Sequence, residues 1–321
     1  MIFRCVVAAG FVSLNACSAP RDAGAEFDVS SDSADAGASL HGDSGALGIG
    51  TTSNDTSCKK MDIVFVIDDS LSMREEQTNL VANFPKFFDV LNKLTSKSGT
   101  PIDYRIAVTT TGVDINVTKE INGKTQPTEY QKGDNGKFRS TSNMTRPWLE
   151  RSDANVSSTF ETIAQVGLAG PGWEQPLESS MRALGARLAD TNKGFLRDDA
   201  LLGIVYLTDE DDCSTKKLDV TQPQNAACST LSAPEPTSTY VAFFDTLKQG
   251  RARWATAVVA GATKCVSSFG NAIEATRLKG FAGEVGKSAL FSSICDGDLS
   301  VGLGNVLTTF DEACKNFEIP R

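Results

Sequence analysis

Hydrophobic positions along residues 58–317 change repeatedly between two periodicities. The apolar run Ile63–Ile67 is rich in β-branched residues and is typical of a strand that is buried on both faces. Comparable runs predict further strands at residues 102–111, 201–208, 254–260 and 289–294. Apolar residues at three- and four-residue steps predict helices near residues 80–94, 157–166, 177–188, 239–249, 270–285 and 299–317. Pro85 lies in the first helix, where we expect a kink or a restart.

Strands that alternate with helices, without internal repeats, indicate an α/β fold. We therefore expect a single domain over residues 58–321, with a doubly wound, mostly parallel central sheet flanked by helices. Two polar stretches, at about residues 112–150 and 210–238, do not fit the alternation and are interpreted as insertions. A short hairpin is expected in the first insertion, near Lys137–Thr141.

The amino terminus has the features of an export signal. Arg4 precedes the apolar run Cys5–Leu14, which is too short to span a bilayer permanently. The run leads into Leu14-Asn15-Ala16-Cys17, which resembles the lipobox of bacterial lipoproteins. The resemblance implies a signal peptide at residues 1–16, a lipid on Cys17, and an anchor in the cell envelope, with the outer membrane favoured by Ser18. The alternative is an ordinary secretory leader that is cleaved nearby.

Residues 17–57 predict a disordered tether. They consist mainly of Ala, Asp, Ser and Gly, and Phe27 is their single aromatic residue. Such a segment buries too little apolar surface to offset the entropy of ordering. A flexible chain of this length spans roughly 35 Å. The lipid at its start is expected to be the chain's sole contact with the membrane.

Charge and histidine content exclude several classes of function. The net charge is −9, and seven acidic residues against Arg21 place −6 of it in residues 18–57. The sequence has no basic patch that would favour nucleic acid as a partner. Its single histidine, His41, lies in the tether. The predicted domain therefore cannot contain a Ser-His-Asp triad, a Cys-His pair or a histidine-ligated zinc ion.

Oxygen-bearing side chains alternate where the first predicted strand ends, at Asp68, Ser70 and Ser72. In an open α/β sheet, ligands bind at the carboxyl ends of the strands. One carboxylate and two hydroxyl groups suit a hard cation such as Mg²⁺. The alternative interpretation is a polar turn in which a serine caps the next helix.

The strand Asp62–Asp68, followed by the Asp-x-Ser-x-Ser-Met pattern of residues 68–73, closely resembles the metal-ion-dependent adhesion site of von Willebrand factor type A domains. The stretch Ile204–Asp209 is similar to the strand of that family that ends in the second aspartate of the site. The resemblance covers about residues 59–317 and implies the same doubly wound fold.

In that family, a threonine from a glycine-rich loop completes the site. The corresponding loop, residues 170–177, contains no threonine, and Glu174 occupies the likely position. The alternative role for Glu174 is to stabilise the start of the following helix. The resemblance implies a divalent cation, with Mg²⁺ preferred and Ca²⁺ or Mn²⁺ as alternatives, bound by Asp68, Ser70, Ser72, Glu174 and Asp209.

The resemblance also implies the chemistry of a partner. Neutral hydroxyl ligands leave a cation underneutralised, so it attracts an acidic side chain of an unidentified protein ligand. The carboxylate of Glu174 should weaken that attraction. We therefore expect an envelope-anchored lipoprotein that binds a protein or other ligand through the cation and is not an enzyme.

Two other functions are weighed against this one. A structural envelope lipoprotein with a degenerate, metal-free site would explain why Glu174 replaces threonine. A Mg²⁺-dependent phosphohydrolase is suggested by Asp68 and Asp69 at a strand exit, as in the haloacid-dehalogenase group. That group requires an aspartate where this chain has Ser70, and no glycine-rich phosphate cradle follows.

Six cysteines remain when Cys5 and Cys17 are set aside, and in an exported chain they indicate disulfides with fifteen possible pairings. Cys213–Cys228 would close a short loop. The family resemblance implies Cys58–Cys314, because the two ends of a type A domain lie side by side. These two pairs leave Cys265–Cys295.

Two further features near the site have alternative interpretations. The acidic run Glu210–Asp212 is either a second ion site, most suited to Ca²⁺, or a solvated loop. Trp173 is either an aromatic residue that contacts a ligand or an anchor for its loop.

Overall fold

The computed structural model describes residues 58–223, 228, 234–267, 270–296 and 299–317. The predicted signal peptide at residues 1–16, the lipid site Cys17, and the tether at 17–57 with His41 lie outside the described residues. Among the residues that are described, no helix is both long and apolar enough to cross a membrane.

Twelve strands and six α-helices form in the described residues. In chain order the strands are β1 (Lys60–Ile67), β2 (Asp103–Thr110), β3 (Ile115–Ile121), β4 (Lys124–Thr125), β5 (Glu129–Gln131), β6 (Leu149–Glu150), β7 (Leu201–Leu207), β8 (Asp219–Pro223), β9 (Trp254–Ala260), β10 (Cys265–Ser267), β11 (Gly270–Ala272) and β12 (Ala289–Ser293). The helices are α1 (Arg74–Leu91), α2 (Val156–Ala164), α3 (Pro176–Ala183), α4 (Thr237–Leu247), α5 (Thr276–Val285) and α6 (Leu299–Lys315).

The central sheet has six strands in the order β12-β9-β7-β1-β2-β6. Every neighbouring pair is parallel except β2 with β6, the short strand at one edge. β1 lies between β7 and β2, so its carboxyl end is flanked by the carboxyl ends of two other strands. The predicted doubly wound, mostly parallel α/β sheet is confirmed.

Two layers of helices cover the sheet because successive side chains of β1 point to opposite faces. Ile63, Phe65 and Ile67 pack with α1, α2 and α6 in one apolar core. Val64 and Val66 pack with α3, α4 and α5 in the other. A strand that serves two cores must be apolar at every position, which explains the unbroken run in the sequence.

The two predicted insertions form a second, smaller sheet together. β3 pairs with β4 and β5 from the first stretch and, in parallel, with β8 from the second. The predicted hairpin near Lys137–Thr141 is wrong, because those residues lie in no strand. The hairpin is β3–β4, and it turns at Asn122 and Gly123, which both have positive φ. Asn-Gly is the dipeptide that such turns favour, so this signal was present in the sequence.

Two helix predictions also require correction. Helix α1 continues from Arg74 to Leu91 through Pro85, so the expected restart does not occur. Pro85 lies on the exposed face, where water can satisfy the carbonyl that loses its N–H partner. The helix predicted over residues 270–285 begins only at Thr276, because residues 270–272 form β11 and pair with β10.

Three disulfides form among the cysteines that the structure describes, and they are the predicted pairs. Cys58–Cys314 joins the start of β1 to the end of α6. Cys213–Cys228 closes a loop after β7. Cys265–Cys295 connects the β10–β11 hairpin to the segment after β12.

A buried ion pair organises the amino end of the sheet, opposite to the predicted cation site. Arg197 donates to the Asp62 carboxylate from its backbone N–H (2.6 Å) and from Nε (2.8 Å). Its guanidinium group also bonds Asp103 at 2.6 Å and the Met61 carbonyl at 3.1 Å. Burial raises the pKa of Asp62 to about 6, while Arg197 acts in the opposite direction. Arg197 therefore stabilises the buried negative charge of Asp62.

We predict that Arg197→Met lowers the free energy of unfolding by about 3–5 kcal/mol, because it leaves the Asp62 carboxylate buried without its partner. Urea denaturation measures the change. The matched control is Lys315→Met, which removes a pair with Asp311 in which the lysine side chain is 56% exposed. Such surface pairs contribute roughly 0–1 kcal/mol. Equal, small effects of the two substitutions would contradict the assigned role of Arg197.

Candidate metal centre

Asp68 is fixed at the point where β1 and β7 end together. Its N–H donates to the carbonyl of Leu207 at 2.9 Å, so the backbone ladder continues through this residue. Oδ1 accepts the N–H of Ser70 at 2.8 Å, and Oδ2 accepts the hydroxyl of Thr208 at 2.6 Å. The side chain is fully buried. Both carboxylate oxygens are therefore held in place by groups from two neighbouring strand exits.

The two serines of the pattern converge with the second predicted aspartate. Ser70 Oγ and Ser72 Oγ are 2.8 Å apart, and Ser72 Oγ donates to Asp209 Oδ1 at 3.3 Å. Ser70 precedes a short 3₁₀ turn, but its side chain makes no capping hydrogen bond. The capping alternative is therefore wrong for Ser70. The structure brings Asp68, Ser70, Ser72 and Asp209 together at one edge of the sheet.

Glu174 is buried with both carboxylate oxygens lacking a hydrogen-bond partner. It does not cap α3, because that helix starts at Pro176 and its N-cap residue is Gln175. Its carbonyl accepts the N–H of Cys213 at 2.8 Å, which fixes the loop against the segment after β7. Burial, and then the charges of Asp68 and Glu210, raise its pKa well above the usual range.

Electrostatics at this edge are dominated by buried negative charge. Burial, followed by the charges of Asp68, Glu210 and Glu76, raises the pKa of Asp209 to about 8. Burial also raises the pKa values of Asp68 and Glu210. A divalent cation beside these carboxylates would favour the charged form of each one.

The donor set fits a hard cation, since it consists of carboxylate and hydroxyl oxygens. No hydrogen-bond donor reaches the two carboxylate oxygens of Glu174, so both are available as ligands for a cation. Within the described ranges, no group of three or more His, Cys, Asp or Glu side chains is arranged to hold an ion by itself. The hydroxyl groups of Ser70 and Ser72 are therefore needed to complete any coordination shell here.

Sequence reasoning missed three neighbours of this site. The sequence leaves Glu210 either in a second ion site or in a solvated loop, but the structure places it half-buried beside Glu174 and Asp68. Thr208 belongs to the predicted strand at residues 201–208, and its hydroxyl donates to Asp68. The buried hydroxyl of Thr111, directly after β2, has no hydrogen-bond partner within 3.5 Å. It is nevertheless close enough to Asp68 to lower the pKa of that carboxyl group. A polar residue after each of three adjacent strands was the available signal.

The other two acids of the run do not form a second ion site. Asp211 accepts the N–H groups of Arg277 (3.0 Å) and Leu278 (3.2 Å) at the start of α5. Asp212 pairs with the Arg277 guanidinium at 3.0 Å and accepts the N–H of Leu177 in α3 at 3.1 Å. These contacts use both carboxylates to position helices.

Trp173 is an anchor for the loop that carries Glu174. Its indole N–H donates to the carbonyl of Cys213 at 3.0 Å, and its ring packs with Ile115, Val117 and the Cys213–Cys228 disulfide. The residue is buried, so the alternative role in direct ligand contact is not supported.

No family model matches the sequence, and no curated protein matches it. Solved structures align with it at low similarity. Proximal thread matrix protein 1 from the mussel byssus, in a form with a zinc-occupied MIDAS motif, gives a TM-score of 0.40 at 14% identity over 81% of this chain and 47% of that chain.

Two further solved structures align over a similar share of the chain. The pilus adhesin SpaC from Lactobacillus rhamnosus GG gives a TM-score of 0.37 at 10% identity, over 81% of this chain and 31% of that chain. The human COPII-coat protein Sec24c gives 0.38 at 9% identity, over 81% and 33%. This chain thus spans about half the length of the mussel protein and a third of the other two. Structural similarity at these TM-scores does not indicate a ligand or a function for this chain.

Proposed function

We propose that this chain is an envelope lipoprotein whose domain, of the von Willebrand factor type A kind, binds a ligand through a divalent cation. The proposed ligands of the cation are Asp68, Ser70, Ser72, Glu174 and Asp209, with Glu210 beside them. Mg²⁺ is the preferred ion, because all of these donors are hard oxygens. Ca²⁺ and Mn²⁺ are the alternatives.

The observation that supports this proposal is the meeting of three distant segments at one point. The Ser70 and Ser72 hydroxyls lie 2.8 Å apart, and Ser72 reaches Asp209 at 3.3 Å. Both oxygens of Glu174 are buried without a donor. A cation would give these carboxylates the positive charge that balances them, which the surrounding hydrogen bonds do not supply.

The proposed role is binding rather than catalysis. A bound cation would provide a positive charge at the rim of the sheet, to which an oxygen atom of a ligand can bind. With two nearby glutamates, this cation is neutralised more fully than one held by hydroxyl groups. We therefore propose a weaker preference for an acidic side chain than the sequence resemblance implies.

Adding Mg²⁺, Mn²⁺ or Ca²⁺ to EDTA-treated protein is predicted to raise the temperature of unfolding, because the ion binds the folded state alone. At an ion concentration of 100 Kd, binding raises the free energy of unfolding by about 2.7 kcal/mol. Differential scanning fluorimetry measures the shift. Asp68→Asn should abolish it, whereas Asp134→Asn, outside the cluster, should retain it. No shift in the unaltered protein, or an equal shift in Asp68→Asn, would favour the structural, metal-free alternative.

In EDTA, the protein is predicted to be less stable at pH 8.5 than at pH 6. The pKa values of Asp209 and Glu174 are higher in the folded state, so the folded protein binds more protons there, and this contribution is lost as the pH rises. Glu174→Gln should raise the free energy of unfolding at pH 8.5 by at least about 1 kcal/mol.

Urea denaturation at the two pH values, with and without Mg²⁺, tests this expectation. Glu312→Gln is the control, because that glutamate is exposed on α6. Saturating Mg²⁺ should reduce the pH dependence of the unaltered protein. If Glu174→Gln is less stable than the unaltered protein in EDTA at pH 8.5, Glu174 is not an uncompensated charge.

Cys17→Ser is predicted to move the protein from the membrane fraction to the soluble fraction of an expressing bacterium, because the chain would lose its lipid. Cys5→Ser, in the leader, is the matched control and should leave the protein in the membrane fraction. Fractionation and mass measurement of the mature protein detect the change. Retention of Cys17→Ser in the membrane would disprove a lipid anchor at that residue.

A further inference from the structure

A hollow of about 240 Å³ lies next to the candidate metal centre. Asp69, which directly follows the predicted ligand Asp68, forms part of its wall, together with the charged side chains of Lys132, Asp134 and Arg139. The remaining lining is mostly backbone and small side chains, and it includes Gly170. We refer to this space as the Asp69 hollow.

Asp69 lines the hollow with a carboxylate that the protein leaves incompletely satisfied. The residue is 7% exposed, and Oδ1 is buried without a hydrogen-bond partner. Its carbonyl accepts the N–H of Gly170 at 2.7 Å. A Cβ atom on Gly170 would lie 2.2 Å from the Asp69 carboxylate carbon, so the carboxylate packs directly on this glycine. A buried polar atom without a partner is costly, unless a ligand supplies the missing donor.

The other charged groups of the hollow have partners of their own. Arg139 pairs with Asp134 at 3.1 Å. Against the effect of burial, the Gly133 N–H and, more weakly, the charge of Lys132 lower the pKa of Asp114. Both cationic side chains of the hollow thus lie close to other carboxylates. Arg139 also acts on Asp69, but burial, and then the charges of Asp68 and Asp134, outweigh it and raise the pKa of Asp69 to about 7. A cation that enters the hollow from outside would favour the charged form of Asp69.

We propose that the Asp69 hollow binds a primary ammonium group of the ligand, with Asp69 Oδ1 as an acceptor. An ammonium group places three donors on a compact charge. A compact charge suits a hollow that Asp69 lines together with three glycines, Gly133, Gly167 and Gly170. A guanidinium group instead prefers a planar, two-oxygen contact. The inference rests on the proposed function, because the same ligand would contact the cation and the hollow together.

The test uses Nα-acetyl-lysine amide as the probe and ¹⁵N-labelled full-length protein in EDTA, so that it does not depend on a bound cation. We expect chemical shift changes at the amides of Gly170 and Gly133, and none with Nα-acetyl-norleucine amide. Asp69→Asn should weaken the binding of the lysine probe at least fivefold. Equal binding of the norleucine probe, or of Nα-acetyl-arginine amide, would overturn the assignment of an ammonium site.

Two glycines of one loop provide a second, matched pair of variants. Gly170→Ala should displace the Asp69 carboxylate and abolish probe binding. Gly172→Ala should leave it unchanged, because a Cβ atom there meets nothing within 4 Å. Probe binding that survives in Gly170→Ala would overturn the proposal even if Asp69→Asn fails to fold.

The same samples separate the two proposals, since the cation-induced rise in unfolding temperature is measured independently. A rise without probe binding would reject the ammonium site alone. Probe binding without a rise would reject the cation function and, with it, the shared-ligand arrangement.

Discussion

Buried negative charge at the carboxyl edge of the sheet is the constraint on which the site depends. Asp68 and Asp209 follow adjacent parallel strands, and Glu174 and Glu210 lie beside them. Burial raises the pKa of each group, and the charge of Asp68 raises the pKa values of Glu174, Asp209 and Glu210 further, so the cluster is unfavourable as four free carboxylates. The arrangement becomes favourable only when protons or a cation balance it. A hard divalent ion at the proposed site would balance it through oxygen ligands that are already close together.

Elsewhere in the domain, buried acids have partners. Asp62 is paired with Arg197 at the opposite end of β1, and Asp212 is paired with Arg277. Asp211 accepts backbone N–H groups at the start of α5. Orphaned carboxylate oxygens occur instead near the sheet's carboxyl edge, as at Asp69 and Glu174. This contrast distinguishes acids that stabilise the fold from acids that are available to a ligand.

The smaller sheet contributes to the site by holding the Glu174 loop. β3 and β8 come from separate stretches of the chain, and their pairing brings the Cys213–Cys228 disulfide against Trp173. The Trp173 indole donates to Cys213, whose N–H in turn donates to the carbonyl of Glu174. The two insertions therefore act as one element that fixes the position of Glu174, a candidate ligand of the cation.

The central sheet and most helices follow from the periodicity of the sequence, because periodicity is a local property of the chain. The cluster of Asp68, Ser70, Ser72 and Asp209 follows from polar residues at strand exits together with the family resemblance that they carry. The Asn122-Gly123 dipeptide of the β3–β4 turn is likewise a local signal. Long-range packing, in contrast, sets the pairing of β3 with β8 and leaves Glu174 without a hydrogen-bond donor. It also places Glu210 beside Glu174, whereas the nearby Asp212 meets Arg277. These outcomes depend on which distant groups become neighbours, and the local pattern of a polar run is the same whether its acids end in water, in an ion pair or at a cation.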